Sequence, residues 1–342
     1  MDGSYPPPTF ARAFQGGIAL MIAAFFRSNQ PAVMAAVPVV LAALFMPAFW
    51  HAPPAAEAQM PIAALMRDLL GDAAWAHALL GIVLIAAVAM QLTVICNALE
   101  LIDRRNHLVA FTMPVALAGL GSAAYDPALL GMPILLMAMR RTWSINNAGP
   151  ALAGLFDAGL LLGLATLCYL PYAFVILAIW ASTSLIRPFN WREYLMPLFA
   201  LLLVFYLTWI ALYLIDPAPW HPMLTMMSAA EDPAVLWNGA ARKSFMILFI
   251  PFLLIALSAF NRSHARSVMR GKNLRSSFMA FALALSVIMG LLSVFKGSFP
   301  AVLAAIPAGA LLAYPLVSPK RGWLAEAVCL GLLALALWTR WA

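Results

Sequence analysis

Charged side chains are scarce in this sequence. Of its 342 residues, 10% are Asp, Glu, Lys or Arg, whereas 65% are hydrophobic and the mean hydropathy is +0.92. A water-soluble domain carries about 25% charged residues, so this chain cannot cover its surface with charge. A lipid bilayer is the solvent that tolerates such a composition at this length, which excludes a soluble globular protein.

The sequence also lacks the motifs of several functional classes. Its three cysteines, Cys96, Cys168 and Cys329, have no CxxC or paired spacing, so they indicate neither a disulfide framework nor a zinc site. No glycine-rich phosphate loop is present, which argues against an ATP-driven motor. The five histidines have no HxxxH or HxxE spacing, so we predict neither a cofactor nor a metal site.

Long apolar runs predict an all-α fold, a polytopic bundle of about ten or eleven transmembrane helices with a cytoplasmic N-terminus. Residues 107–123 and 127–139 are short for a bilayer and could instead form a re-entrant hairpin. The predicted spans are 31–50, 74–98, 107–123, 127–139, 151–168, 171–187, 194–216, 244–260, 277–296, 300–317 and 323–339.

The same pattern predicts the organisation of the chain. Residues 1–30 form a cytoplasmic or interfacial N-terminal segment, and residues 31–342 form a single integral membrane domain. Two loops, 51–73 and 217–243, lie outside, and a basic loop, 261–276, lies in the cytoplasm.

The net charge of +7 follows this topology. Of the 20 Lys and Arg residues, 15 fall in cytoplasmic segments. This positive-inside asymmetry predicts a multi-pass protein of the bacterial inner membrane. It makes a nucleic-acid partner unnecessary, and the predicted partners are the lipid bilayer and its anionic lipids. The five outside cations are Arg67, Arg242, Lys243, Lys296 and Arg340.

Two acids in the first outside loop are candidate catalytic residues. Asp68 and Asp72 have a spacing that places both on one helix face, provided the amphipathic helix predicted at Pro61 to Leu70 extends that far. A membrane-embedded glycosyltransferase needs a base just above the membrane. The alternative is a solvated charge pair between Arg67 and Asp68.

Asp157 is the candidate substrate or ion site. It lies about two turns inside a predicted span, where an ionisable group is costly and usually faces protein or water. It could relay a proton or bind a cation, and a structural ion pair with Arg141 or Arg187 is the alternative. Gly159 and Gly163 form a separate GxxxG packing face on the same helix.

The stretch LIRPFNWREYLMP, residues 185–197, is predicted to be a cytoplasmic turn. Pro188 ends one helix, and Asn190 and Glu193 have the spacing of a helix cap and its capping partner. Arg187 and Arg192 hold the turn on the cytoplasmic side. The alternative is that both arginines clamp a phosphate or a lipid headgroup.

Three arginines in the basic loop are candidates for headgroup or partner docking. Arg262, Arg266 and Arg270 recur every four residues, so they are expected to share one helix face. Ordinary positive-inside anchoring explains them. The alternative hypothesis is a binding site for anionic lipids or for an acidic partner protein.

Three stretches together resemble a family of polytopic inner-membrane proteins from Bacteroidota, known as a domain of unknown function. They are FFRSNQPAV at 25–33, LFDAGLLLGLATLCYLPY at 155–172 and LIRPFNWREYLMP at 185–197. The resemblance extends from about Met21 to Asp216 and implies Met21 as an alternative start. Some members are labelled carotene oxygenases, but the predicted spans lack the histidines that such an iron site needs.

The function predicted from the sequence is a transporter or flippase for a small or lipid-linked envelope substrate, centred on Asp157. One alternative is a non-catalytic subunit of an envelope complex with membrane-protein partners. The other is a membrane-embedded glycosyltransferase or polymerase that uses the outside acids. Transport is the preferred prediction because it requires no motif that the sequence lacks.

Overall fold

The computed structural model describes residues 22–28, 31–50, 60–71, 73–102, 104–121, 126–145, 151–215, 239–296, 299–317 and 322–341. Within these ranges the chain is an all-α bundle of thirteen α-helices without strands, which confirms the predicted fold class. The helices are α1 (Ile22–Arg27), α2 (Pro31–Phe45), α3 (Pro61–Leu70), α4 (Ala74–Ala98), α5 (Leu108–Leu120), α6 (Pro127–Trp143), α7 (Leu152–Cys168), α8 (Ile176–Ile186), α9 (Trp191–Ile215), α10 (Ala240–Arg266), α11 (Met269–Lys296), α12 (Ala301–Val317) and α13 (Gly322–Trp341).

Five of these helices are long and apolar enough to cross a membrane, judged by length and composition: α4, α9, α10, α11 and α13. They fit an integral membrane protein, and the predicted span 74–98 coincides with α4. The total of ten or eleven crossings stays a prediction. The shorter apolar helical segments are Val33–Phe49, Leu108–Leu120, Leu152–Cys168, Leu170–Ile186 and Ala301–Val317.

Helices α5 and α12 form the centre of the bundle. All 13 residues of α5 are buried, and its backbone lies against that of α12 at Gly309, where an added Cβ would be 2.6 Å from the Cα of Met113. The Thr112 hydroxyl donates to the Gly309 carbonyl oxygen at 2.6 Å. A glycine permits this approach because small residues let helix backbones pack closely in membranes.

A second close approach joins α7 to α9. A Cβ at Gly159 would lie 2.5 Å from the Pro197 carbonyl oxygen, and one at Gly163 would lie 2.7 Å from the Val204 Cβ. The predicted packing face of Gly159 and Gly163 is therefore confirmed. Met60 belongs to one apolar cluster with Leu167 of α7 and Val204 of α9, which places the start of α3 beside these two helices.

The short helix α1 is fixed to the bundle by hydrogen bonds. The Glu326 carboxylate of α13 accepts from the backbone N–H groups of Ala23 and Ala24, at 2.9 and 2.8 Å. This carboxylate satisfies donors that the first turn of a helix leaves unpaired. Arg27 donates to the Leu316 carbonyl oxygen at 3.0 Å. Residues 1–21 of the predicted N-terminal segment lie outside the described residues.

Candidate functional site

A cleft of about 530 Å³ opens between the end of α4 and the start of α11. One wall is formed by residues 97–100 together with Ile102 and Arg105, and the other by residues of the 267–275 segment. We call it the basic cleft, because its described lining residues include three arginines and one glutamate. These charged residues are Glu100, Arg105, Arg270 and Arg275.

The connection between α4 and α5 holds Arg105 on a fixed backbone. Asn97 Nδ2 donates to the Asn106 carbonyl oxygen at 2.8 Å, and Asn97 Oδ1 accepts from the Asn106 N–H at 3.2 Å. Asn106 Nδ2 also donates to the Arg104 carbonyl oxygen at 2.6 Å. Asn106 is buried while Arg105 is exposed, so the hydrogen bonds fix the backbone next to Arg105, and the Arg105 side chain lines the cleft in contact with solvent.

Arg275 joins the two walls of the cleft. Its side chain is 4% exposed, and its Nε donates to the Leu101 carbonyl oxygen at 2.9 Å. One terminal nitrogen donates to the Ser263 carbonyl oxygen at 2.6 Å and to the Ser267 hydroxyl. The Tyr314 hydroxyl donates to the same Leu101 oxygen at 2.6 Å. Arg275 therefore positions the α10–α11 turn against the α4–α5 connection.

Arg270 lies between the polar basic cleft and a second cavity that is mostly apolar. It lies in the first turn of α11 and is exposed, as are its neighbours Val268 and Met269, at 79% and 75%. A second cavity, of about 320 Å³, shares Arg270 with the basic cleft. The remaining residues that line it are mostly apolar: Trp143, Ile145, Ile186, Met269, Asn273 and Leu274.

The arrangement of charge in the basic cleft suits a phosphate. Guanidinium groups bind phosphate through charge-assisted, often bidentate hydrogen bonds. Arg105 and Arg270 are exposed and approach from opposite walls. The buried guanidinium of Arg275 adds positive charge where solvent screens it little.

The structure corrects the prediction for the three arginines of the basic loop. Helix α10 ends at Arg266 and α11 begins at Met269, so Arg270 does not share a helix face with Arg262 and Arg266. The chain leaves the helix at Ser267, whose backbone is extended (φ −77°, ψ 153°). Arg262 and Arg266 are exposed on α10, and Arg270 lines the cleft.

The predicted turn at 185–197 is confirmed with one change, and its cytoplasmic location stays a prediction. Asn190 Oδ1 accepts from the Arg192 backbone N–H at 3.3 Å, as expected of a helix cap. The Glu193 carboxylate, however, accepts from Arg187 Nε at 3.1 Å in a buried ion pair instead of serving as the capping partner. Arg192 lies over the Trp191 ring at 5.7 Å. A phosphate clamp by Arg187 and Arg192 stays a prediction.

Asp157 lies in the second turn of α7 and is partly exposed. Among the residues that the structure describes it forms neither an ion pair nor a hydrogen bond, so the expected pairing with Arg141 or Arg187 is not found there. Its helix face also carries the exposed residues Ala153 and Leu164. This face points away from the Gly159 seam, and Asp157 therefore faces the surface of the bundle.

Of the two candidate catalytic acids, the structure describes Asp68. Helix α3 spans Pro61–Leu70, as predicted, and Gly71 follows with a φ of +58°. Asp72 lies outside the described residues, so a helix face shared with Asp68 stays a prediction. Asp68 is exposed and lies 3.6 Å from Arg67, which is the solvated pair given as the alternative. Residues 216–238 of the second outside loop also lie outside the described part of the chain.

Sequence reasoning missed Glu100, Arg105 and Arg275 as site residues. A usable signal existed for Arg275, because it precedes Phe278, Ala282 and Leu285 at helical spacing and so belongs to the buried stripe of α11. No comparable pattern marks Glu100 or Arg105. Their proximity to α11 depends on long-range contacts.

No protein-family model, curated protein or solved structure matches this chain. The resemblance of residues 25–33, 155–172 and 185–197 to the Bacteroidota family therefore stays a prediction. The basic cleft and the long apolar helices are the features that bear on function.

Proposed function

We propose that this integral membrane protein is a transporter or flippase that takes up a lipid-anchored substrate by its phosphate headgroup at the basic cleft. The observation that carries the proposal is the cleft itself, where the lining residues that the structure describes include three arginines and one glutamate. The positive-inside distribution of arginine supports a location of the cleft on the cytoplasmic side of a bacterial inner membrane.

Each arginine of the cleft has a separate task. Arg105 and Arg270 bind the phosphate oxygens from opposite walls, because both side chains are exposed and lie on anchored backbone. Arg275 keeps the walls at a fixed separation through its bonds to Leu101 and Ser263. Preorganised donors bind an anion better, since little conformational entropy is lost on binding.

Two features favour a lipid over a soluble phosphate compound. Val268 and Met269 are exposed apolar residues next to Arg270, and such residues are stable at the boundary between headgroups and acyl chains. The cavity beyond Arg270 is lined mainly by apolar side chains such as Trp143 and Ile186. A phospholipid fits this arrangement, because its headgroup is polar and its acyl chains are apolar.

Removing the two exposed arginines tests this function. In proteoliposomes, the double variant Arg105→Gln and Arg270→Gln is expected to translocate a fluorescent phospholipid at least about tenfold more slowly than wild type, because two charge-assisted contacts are lost. The matched control is Arg262→Gln with Arg266→Gln, which removes the same charge from exposed positions outside the cleft. Equal rates in the two double variants, or no translocation by wild type, would contradict the proposal.

A second function, subunit of a membrane complex, is supported by Asp157. A carboxylate on an apolar helix is stable when a cation neutralises it, and none of the described residues does so. We propose under this alternative that Asp157 binds a Lys or Arg on a transmembrane helix of a partner protein.

Asp157→Asn separates the two functions. If Asp157 binds a partner, the variant should lose a protein that copurifies stoichiometrically with wild type in mild detergent, while lipid translocation is unaffected. If it relays protons, translocation stops and the composition of the complex does not change. Asp68→Asn, an exposed acid on α3, is the control. Wild-type behaviour of Asp157→Asn in both assays would contradict both roles.

A further inference from the structure

Glu100 holds an uncommon backbone conformation at the rim of the basic cleft. Its φ is +52°, and it is the one non-glycine residue with positive φ among the described residues. It follows the last turn of α4, where the Leu101 N–H bonds to the Cys96 carbonyl oxygen at 3.0 Å. Glycine is the residue that fits this position at the end of a helix without strain.

Glycine would close the same turn without strain. The turn itself therefore does not require a glutamate at position 100, and a role for the side chain has to be considered. Its carboxylate is exposed and lines the cleft. In the described part of the chain it forms no ion pair with Arg105 or Arg270, although all three line one cleft. The opposite charges are thus held apart and both stay accessible to a ligand.

Glu100 and Arg270 place opposite charges on the two walls of the cleft, and Arg105 lies on the same wall as Glu100. The C-terminal end of α4, which Glu100 follows closely, is the negative end of a helix dipole. The N-terminal end of α11, with Arg270 in its first turn, is the positive end of another. Arg105 and Arg275 add positive charge on either side. A ligand that matches both walls carries an anion and a cation.

We propose that the basic cleft recognises a zwitterionic headgroup of the phosphoethanolamine type. The phosphate is bound by Arg105 and Arg270, and the primary ammonium donates hydrogen bonds to the Glu100 carboxylate. This inference rests on the proposed function, since it names the substrate class of the same cleft. It goes beyond that function because a phosphate site alone does not need Glu100.

Lipid retention by the full-length protein tests the inference. Wild type is solubilised from vesicles with equal amounts of phosphatidylethanolamine, phosphatidylglycerol and phosphatidylcholine, and the retained lipids are measured by mass spectrometry. We expect phosphatidylethanolamine to be retained about tenfold over phosphatidylglycerol, which lacks the cation, and over phosphatidylcholine, whose quaternary ammonium has no N–H donor. Glu100→Gln should abolish this preference and leave the retention of phosphatidylglycerol unchanged.

Two further variants separate recognition from a structural role. Glu100→Gly should lose the same preference while raising the unfolding temperature, because the strain disappears with the side chain. Asp68→Asn removes an exposed acid elsewhere and should behave as wild type. If Glu100→Gln retains the three lipids in wild-type ratios, the ammonium site is wrong.

The failure of this inference can be told from failure of the proposed function. If Arg105→Gln with Arg270→Gln lowers retention of all three lipids while Glu100→Gln changes nothing, the phosphate site stands and the headgroup assignment falls. If wild type retains no lipid above the double arginine variant, both fall. Displacement of phosphatidylethanolamine by equimolar soluble O-phosphoethanolamine would overturn the lipid as the source of the headgroup.

Discussion

Replacing Arg275 by Met is expected to lower the free energy of unfolding by about 3 kcal/mol or more. The buried guanidinium donates to Leu101, Ser263 and Ser267, and hydrogen bonds to a charged group each contribute about 1.5–3 kcal/mol. Methionine keeps much of the apolar stem and removes every donor. The loss is smaller than three full bonds, because Tyr314 still donates to the Leu101 oxygen.

The measurement is the unfolding of the purified protein in detergent, followed by tryptophan fluorescence as SDS is increased. Arg262→Met is the matched control, since this arginine lies one helix earlier and is exposed. A surface substitution of this kind changes stability by about 0.5 kcal/mol or less. If the two variants unfold at the same SDS concentration, Arg275 does not join the walls of the cleft.

Replacing Gly309 by Ala is expected to destabilise the centre of the bundle by about 1–3 kcal/mol. The new methyl group would lie 2.6 Å from the Met113 Cα, so α5 and α12 must move apart. That movement also lengthens the bond from the Thr112 hydroxyl to the Gly309 oxygen. Because α5 is buried along its whole length, neighbouring helices cannot absorb the shift without losing contact.

Gly290→Ala is the matched control for this prediction. Gly290 lies within α11, and a Cβ added there has no atom within 4 Å. Alanine should therefore stabilise the helix by about 0.5–1 kcal/mol. The two alanine variants are expected to shift the unfolding midpoint in opposite directions. A shift of the same sign and size in both would show that the α5–α12 approach is not tight.

Local pattern predicted the helices well. The span 74–98 coincides with α4 because an apolar run of that length has one stable form in lipid, a helix with its backbone fully bonded. Gly159 and Gly163 were recognised as a packing face by their spacing, and they contact α9. Asn190 was recognised as a cap for the same reason, since a cap acts within one turn.

Spacing failed where a helix ended earlier than the pattern required. Arg262, Arg266 and Arg270 have helical spacing, but the Ser267 hydroxyl bonds to the Ser263 carbonyl oxygen at 2.7 Å at the point where the chain turns. Helix α3, by contrast, has the predicted bounds, Pro61–Leu70. Charge periodicity contains no information on where the backbone hydrogen bonds stop.

The sequence by itself determined that this chain is a helical membrane protein, because scarce charge and long apolar runs constrain the solvent and the backbone together. The tertiary structure alone decided which charges meet. Glu100 and Arg275 are separated by 174 residues of chain but line one cleft, as the Leu101–Arg275 hydrogen bond requires. Such proximity depends on how helices pack, and packing is set by shape over the whole bundle rather than by any local spacing.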